Sequence, residues 1–162
     1  MRVMKEILFL FVLSFLVARV ANATPDPVPM VGYENVPIVT TTGTALPLSK
    51  IREIIIKSTQ AANWSIQNSN SNGPIVAVYD FKNKHFATVK VSYTPNEFSI
   101  GYESSTNLKY KVSEDYDSYE PTLAIPGSGS VKYPKGTKLI HPVYNQWVKN
   151  LREKILAGFR AE

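Results

Sequence analysis

The stretch IVAVYDFKNKHFATVKVSYTPNEFSIGYE, residues 75–103, decides the predicted fold because it contains three consecutive strand-like segments. Residues 85–93 and 97–103 alternate apolar and polar side chains, and residues 75–81 are almost entirely apolar. Alternation is typical of a strand that buries one face. The connections KNK and TPN are short and polar, which favours antiparallel hairpins between neighbouring strands. We therefore predict a three-stranded antiparallel meander with one apolar face.

Helical periodicity flanks this meander on both sides. The first predicted helix starts at the N-cap residue Ser49, and its stripe consists of Ile51, Ile54, Ile55, Ser58 and Ala62. The second starts at Pro142, and its stripe consists of Tyr144, Trp147, Val148, Leu151 and Ile155. Gly158 is predicted to end that helix. Two apolar helix stripes and one apolar sheet face are buried when they pack against each other. We predict a two-layer α+β fold, helix–three-stranded antiparallel meander–helix, with both helices on one sheet face.

The remaining segments define the predicted domain organisation. Residues 24–45 are rich in proline, which favours an extended leader, and VPIV at 36–39 suits an edge strand. Residues 46–157 form a single predicted α+β domain. Within it, residues 111–138 lack periodicity and are long for a connection, so we interpret them as a loop insertion that is functional or disordered. WSI at 64–66 is either a strand or the exit of the first helix.

Residues 1–23 have the pattern of a secretory signal peptide. A basic start precedes an apolar run at 7–17 and the small-residue triplet ANA. We predict cleavage between Ala23 and Thr24. The apolar run is shorter than the about 20 residues that a membrane-spanning helix needs. We therefore expect a soluble exported protein, periplasmic or extracellular, with no transmembrane segment after signal cleavage.

Composition excludes several classes of protein. The chain has no cysteine, which excludes disulfides, cysteine-ligated metals and the acylated cysteine of a lipoprotein. The whole chain has a net charge of +5, and without the predicted signal peptide it keeps 15 basic and 12 acidic residues, a net charge of +3. Nucleic-acid binders usually concentrate more positive charge, so composition argues against a nucleic-acid partner.

Two motifs resemble those of a known family. SSTNLKY at 104–110 matches the pattern S-x-x-N-L-x-Y, and IHPVYNQWVKNLREKI at 140–155 matches I-H-x-x-Y-N-x-W-[IV]-x-x-L-x-x-x-I. These patterns are similar to those of a family of small exported bacterial proteins of unknown function, often lipoprotein-like, over roughly residues 36–110 and 139–156. This chain departs from the family in having no cysteine and a longer 111–138 segment. The resemblance implies a helix, three strands and a helix in the bacterial envelope, and it implies no reaction.

His141 has two competing interpretations. Paired with Ser104 or Ser105 it would suit a small hydrolase, although no G-x-S-x-G motif surrounds either serine. Alternatively, His141 and Asn145 cap and dock the last helix, and their side chains bond to the loop around Asn107. We favour capping, because polar residues at a helix start commonly satisfy backbone groups.

Metal-binding patterns in the sequence are weak. His85 and His141 are the two histidines, and no H-E-x-x-H motif is present, so we predict no metal and no cofactor. The acidic segment EDYDSYE at 114–120 lacks the spacing of a calcium-binding loop. Its tyrosines, Tyr116 and Tyr119, instead favour contact with a partner, because tyrosine is common at interfaces.

We predict an exported envelope protein without catalytic activity that acts as a binding or interaction module. The partner would be an envelope protein or a ligand, bound through the polar sheet face, an edge strand or the 111–138 segment. A further alternative is a homodimer that pairs through an edge strand. The alternatives are a small hydrolase and a small-ligand carrier. The candidate binding residues are Ser104, Asn107, Tyr116, Tyr119, His141 and Asn145.

Overall fold

The computed structural model describes residues 24–68, 73–114 and 132–162 of the chain. In chain order, the elements in these ranges are β1 (Val28–Pro29), β2 (Tyr33–Pro37), α1 (Leu48–Ala61), β3 (Trp64–Asn68), β4 (Ile75–Phe81), β5 (His85–Tyr93), β6 (Glu97–Thr106), β7 (Lys111–Val112), β8 (Lys138–Ile140) and α2 (Pro142–Arg160). Neither of these two described helices combines the length and the apolar character that crossing a membrane requires.

The main sheet has five antiparallel strands in the order β2-β6-β5-β4-β3. The predicted three-stranded meander is therefore wrong, because one strand is added at each edge of β4, β5 and β6. β3 exists because Asn63, after α1, has a φ of 64°, and this left-handed conformation turns the chain back along β4. β2 comes from the leader and ends at Pro37, whose missing N–H an edge strand tolerates.

A smaller antiparallel sheet, in the order β1-β8-β7, joins the leader to both ends of the predicted loop insertion. Val28 lies opposite Ile140, and Lys111 lies opposite Leu139. The predicted plan contains no second sheet, which is a further correction. Its strands have two or three residues each, too few to show a periodicity in the sequence. Residues 115–131 of the insertion lie outside the described residues.

A single hydrophobic core joins one face of the main sheet to both helices. The buried residues alternate along the central strands, as Ala87, Val89 and Val91 do in β5. The fully buried residues of α2 are Tyr144, Val148, Leu151, Ile155 and Phe159. Burial of each large side chain of this stripe contributes about 1.5–3 kcal/mol, so α2 is held mainly by its apolar face.

The start of α1 differs from the prediction. The helix begins at Leu48, and its N-cap is Pro47, which makes no side-chain cap bond. The carbonyl of Pro47 accepts hydrogen bonds from the N–H groups of Lys50, at 2.9 Å, and Ile51, at 3.0 Å. Ser49, the predicted cap, lies inside the first turn.

The end of α2 also differs from the prediction. The helix continues through Gly158 to Arg160, so Gly158 does not end it. A side chain at position 158 would contact Ser58 Oγ and lie 3.0 Å from Ile54 Cγ2 of α1. Gly158 is therefore explained by the close approach of the two helices.

Candidate functional site

His141 is the N-cap residue of α2, directly after β8. The residue before a proline is biased towards extended backbone, and His141, which precedes Pro142, has a ψ of 133°. Its backbone N–H donates to the carbonyl of Leu108 at 2.8 Å, and its Nδ1 accepts the N–H of Val143 at 3.2 Å. The predicted capping role of His141 is confirmed. The bond to the loop after Asn107, predicted for the side chain, is made instead by the backbone N–H of His141.

The bond at Nδ1 fixes the tautomer of neutral His141. An N–H donor requires a lone pair on Nδ1, so the proton of the neutral ring is on Nε2. Burial, and then electrostatic repulsion from Lys109 and His85, lowers the pKa of His141 below its ordinary value of 6.5. The neutral imidazole therefore presents an N–H donor at Nε2.

His85, at the start of β5, has the opposite tautomer. Its Nδ1 lies 3.0 Å from the carbonyl oxygen of Asn107, which can only accept, so Nδ1 carries the proton. The Nε2 of the neutral ring is therefore a hydrogen-bond acceptor. Asn107 also donates from Nδ2 to the carbonyl of Lys84 at 2.6 Å. These two bonds hold the end of β6 against the turn before β5.

Both histidines line one cleft of about 140 Å³, which we call the histidine cleft. Its other walls are aromatic or aliphatic side chains, Phe81, Leu108, Val143 and Trp147. The ring centroid of Trp147 lies 4.5 Å from that of Tyr79 and 6.0 Å from that of Phe81. Because Phe81 is 41% exposed, part of this aromatic surface faces solvent. The cleft thus combines two imidazole rings of opposite tautomer with apolar walls.

Asn145 lies one helical turn after His141 and binds a different segment from the predicted one. Its Nδ2 donates to the carbonyl of Pro29 at 2.9 Å, and its Oδ1 accepts the N–H of Val31 at 3.0 Å. The prediction that Asn145 bonds to the loop around Asn107 is therefore wrong. The reason is that β1 pairs with β8, which brings the leader to this side of α2. Asn145 fastens the leader to the helix.

Ser104 and Ser105 lie in β6, and no described contact brings either of them to His141. The Oγ of Ser105 lies 3.0 Å from the hydroxyl of Tyr102, and Ser104 is exposed opposite Thr88 of β5. Neither serine is among the described residues that line the histidine cleft. The Nδ1 of His141 accepts the N–H of Val143 and the Nε2 of the neutral ring carries the proton, so this ring has no free lone pair with which to accept a proton from a serine.

Within the described ranges, no group of three or more histidines or carboxylates is placed to hold a metal ion. The Nε2 of His141 carries a proton for as long as Nδ1 accepts from Val143. To bind a metal through Nε2, the ring would have to give up this capping bond. Tyr116 and Tyr119, two of the predicted binding residues, lie outside the described residues.

A larger groove of about 430 Å³ lies at the opposite end of β5, beside the start of α1. The Nη1 of Arg52 in its wall donates to the carbonyl of Gly73 at 3.0 Å and to the hydroxyl of Tyr93 at 2.9 Å. These bonds fasten α1 to the sheet. The Nη2 of Arg52 is buried and makes no hydrogen bond within the described part of the chain. In the histidine cleft, the Nε2 of each ring likewise takes no part in the bond that fixes that ring, and an exposed aromatic ring lies beside the two imidazoles. The histidine cleft is therefore the better candidate for recognition.

Sequence reasoning identifies His141 but not the rest of the cleft. Trp147, predicted to lie in the core, is half-buried and lines the cleft. Phe81 and His85 are cross-strand partners beside the β4–β5 turn. The alternation of β5 places His85 on the same face as Ala87, and this pattern was the sequence signal that could have assigned His85 to the cleft side of the sheet. The contact between this end of the sheet and the start of α2 depends on tertiary packing. Residue spacing along the chain does not show that packing.

Comparisons of the chain with protein-family models, with curated proteins and with solved structures give no match. The resemblance of its motifs to a family of exported bacterial proteins stays a prediction.

Proposed function

We propose that this chain is a non-catalytic binding module of the bacterial envelope that holds a partner protein at the histidine cleft. The supporting observation is that two imidazoles with opposite tautomers and an exposed aromatic ring converge on one concavity. Interface centres commonly combine aromatic side chains with a few polar groups that fix orientation. Export to the envelope is part of the proposal and rests on the signal-peptide pattern of residues 1–23.

The size of the cleft favours an inserted side chain over a whole ligand. Sites for drug-sized ligands usually measure about 300–1,000 Å³, whereas the histidine cleft measures about 140 Å³. A single apolar side chain of a partner suits this volume, and anchoring side chains in pockets supply much of the affinity of many interfaces. The cleft therefore supports a protein partner more than the alternative of a small-ligand carrier.

The surroundings of the cleft are basic. Lys82, Lys84 and Lys109 are exposed on the loops that carry its walls. The Nζ of Lys82 lies 5.1 Å from the ring centroid of Phe81. Charge complementarity increases the rate at which partners meet and suppresses wrong pairings. A partner surface with acidic residues around its anchoring side chain would therefore be preferred.

Site-specific photo-cross-linking in cells that express the protein tests this proposal. A photo-reactive amino acid replaces Lys84, whose exposed side chain precedes His85 at the edge of the cleft. We expect a defined adduct with an envelope protein. The adduct should disappear in Val143→Phe, because the larger side chain fills the cleft from its wall.

The matched control places the same photo-reactive residue at Lys90, which is exposed on the sheet face opposite the core. Adducts at position 90 should not respond to Val143→Phe. This control also tests the predicted alternative, in which the polar sheet face binds the partner. If no adduct at position 84 depends on Val143, the proposal is wrong. Thermal unfolding of the Val143→Phe protein checks that its fold is intact.

A further inference from the structure

We propose that the histidine cleft recognises a tyrosine side chain of the partner protein, with the phenol hydroxyl bonded to the Nε2 atoms of His85 and His141. This inference rests on the proposed function and specifies the side chain that enters the cleft. It is based on the protonation pattern of the two rings and on the chemistry of the cleft walls.

The two rings offer complementary hydrogen-bonding atoms. The Nε2 of His141 donates, because its Nδ1 accepts the N–H of Val143. The Nε2 of His85 accepts, because its Nδ1 donates to the carbonyl oxygen of Asn107. A hydroxyl group accepts one hydrogen bond and donates another through the same oxygen. A carboxylate, in contrast, would place an acceptor against the acceptor of His85, and an ammonium would place a donor against the donor of His141.

The walls of the cleft select an aromatic body for this hydroxyl. Phe81 and Trp147 present rings whose centroids are 6.0 Å apart, and Leu108 and Val143 complete the apolar surface. Apolar cavities of about 150 Å³ bind a benzene ring, and this cleft measures about 140 Å³. Serine and threonine would leave the walls uncovered. Phenylalanine would cover the walls but leave both Nε2 atoms without a partner, which has a cost in affinity.

Titration of the purified protein with blocked amino acids tests the inference. N-acetyl-tyrosinamide and N-acetyl-phenylalaninamide differ only by the hydroxyl, and binding is followed by NMR shifts of the Trp147 indole and of the two histidine rings. We expect the tyrosine probe to bind about tenfold more tightly, because it satisfies both nitrogens. The free phenol p-cresol should bind more weakly than the tyrosine probe, because we expect the phenol to belong to a polypeptide and p-cresol has no backbone amide groups.

His85→Asn and His141→Asn are matched variants, because asparagine can replace the bond that fixes each ring. At position 85 the amide Nδ2 can donate to the carbonyl of Asn107, and at position 141 asparagine is a favoured N-cap. Each variant removes one Nε2 atom. Each variant should lose more affinity for the tyrosine probe than for the phenylalanine probe, so that neither variant prefers tyrosine.

The outcomes separate this inference from the proposed function. Equal binding of the tyrosine and phenylalanine probes by the native protein overturns the tyrosine assignment and leaves an apolar pocket for another side chain. Tighter binding of p-cresol overturns the polypeptide source. If no probe shifts the cleft resonances, the tyrosine assignment is wrong, and the cross-link at position 84 decides the proposed function independently.

Discussion

At the scale of single residues, two backbone groups give His85 and His141 opposite hydrogen-bonding patterns. The carbonyl of Asn107 requires a proton on the Nδ1 of His85, and the N–H of Val143 requires a lone pair on the Nδ1 of His141. In each ring, the nitrogen that holds the fold differs from the nitrogen proposed to bind the partner. The two roles can therefore be tested by different substitutions.

The capping role of His141 leads to a first prediction. His141→Ala should lower the free energy of unfolding by about 1 kcal/mol, because it removes the N-cap bond to Val143. His141→Asn should lower it less, since asparagine is a favoured cap. Urea unfolding measures both, with Gln146→Ala, an exposed position of the same helix, as the control. Equal stability of the alanine and asparagine variants would show that the side chain of residue 141 does not act as a cap.

The lowered pKa of His141 predicts a loss of stability in acid. Burial, and then Lys109 and His85, disfavour the charged ring, so the unfolded chain binds the proton near pH 6.5 and the folded protein only at lower pH. The unfolded state binds more protons between these two pKa values, so the free energy of unfolding rises with pH there. The contribution is complete above about pH 6.5 and is lost as the pH falls towards the folded pKa.

His141→Asn provides the measurement for this pH dependence, because it keeps a cap but does not titrate. Urea unfolding of both proteins above and below pH 6.5 should show a smaller acid loss in the variant. Other titrating groups are common to the two proteins, so the difference between them isolates His141. An identical pH dependence would contradict the prediction.

At the scale of elements, the contact between α1 and α2 depends on Gly158. Gly158→Ala should destabilise the protein, although alanine favours a helix by about 1 kcal/mol relative to glycine. The new Cβ would contact Ser58 Oγ and lie 3.0 Å from Ile54 Cγ2, and overpacking costs about 1–3 kcal/mol. The Ser58→Ala background should recover part of this loss. A double-mutant cycle in thermal unfolding measures the coupling between residues 58 and 158. If the effects of the two substitutions on stability simply add, the explanation is wrong.

The elements that the sequence predicts well are those with a sustained repeat. Both helices and the three central strands carry an apolar pattern over seven residues or more. β1, β7 and β8 are too short to show a period, and β3 depends on the positive φ of Asn63. The site follows the same rule. Pro142 is a local signal for the cap at His141, whereas Phe81 and His85 reach the cleft only through tertiary packing.

At the scale of the whole molecule, the leader connects the two sheets. β1 pairs with β8 in the small sheet, and β2 pairs with β6 in the main sheet. At the end of β1 and directly after it, the backbone at Pro29 and Val31 is bonded to the side chain of Asn145 on α2. The leader is therefore a structural part of the fold, and its removal should weaken the attachment of α2.

Deletion of residues 24–31 and Asn145→Ala should be strongly non-additive. Alone, Asn145→Ala should cost about 1–2 kcal/mol, because it removes two hydrogen bonds to backbone. The shortened protein already lacks both partners, so the same substitution should change its stability little. Urea unfolding of the four proteins completes the cycle. Asn150→Ala, at an exposed asparagine of the same helix, is the control, and full additivity would show that Asn145 acts through other groups.

The position of the leader also determines when it can be fixed during synthesis. Asn145 is 114 residues from Val31 and 116 residues from Pro29. A ribosome delivers the amino terminus first, so the leader emerges long before the helix that holds it. Contacts of such wide sequence separation form late in folding, because closing a long loop is entropically unfavourable. Until α2 has formed, the backbone at Pro29 and Val31 lacks the two hydrogen bonds from Asn145 that hold this segment in the folded protein.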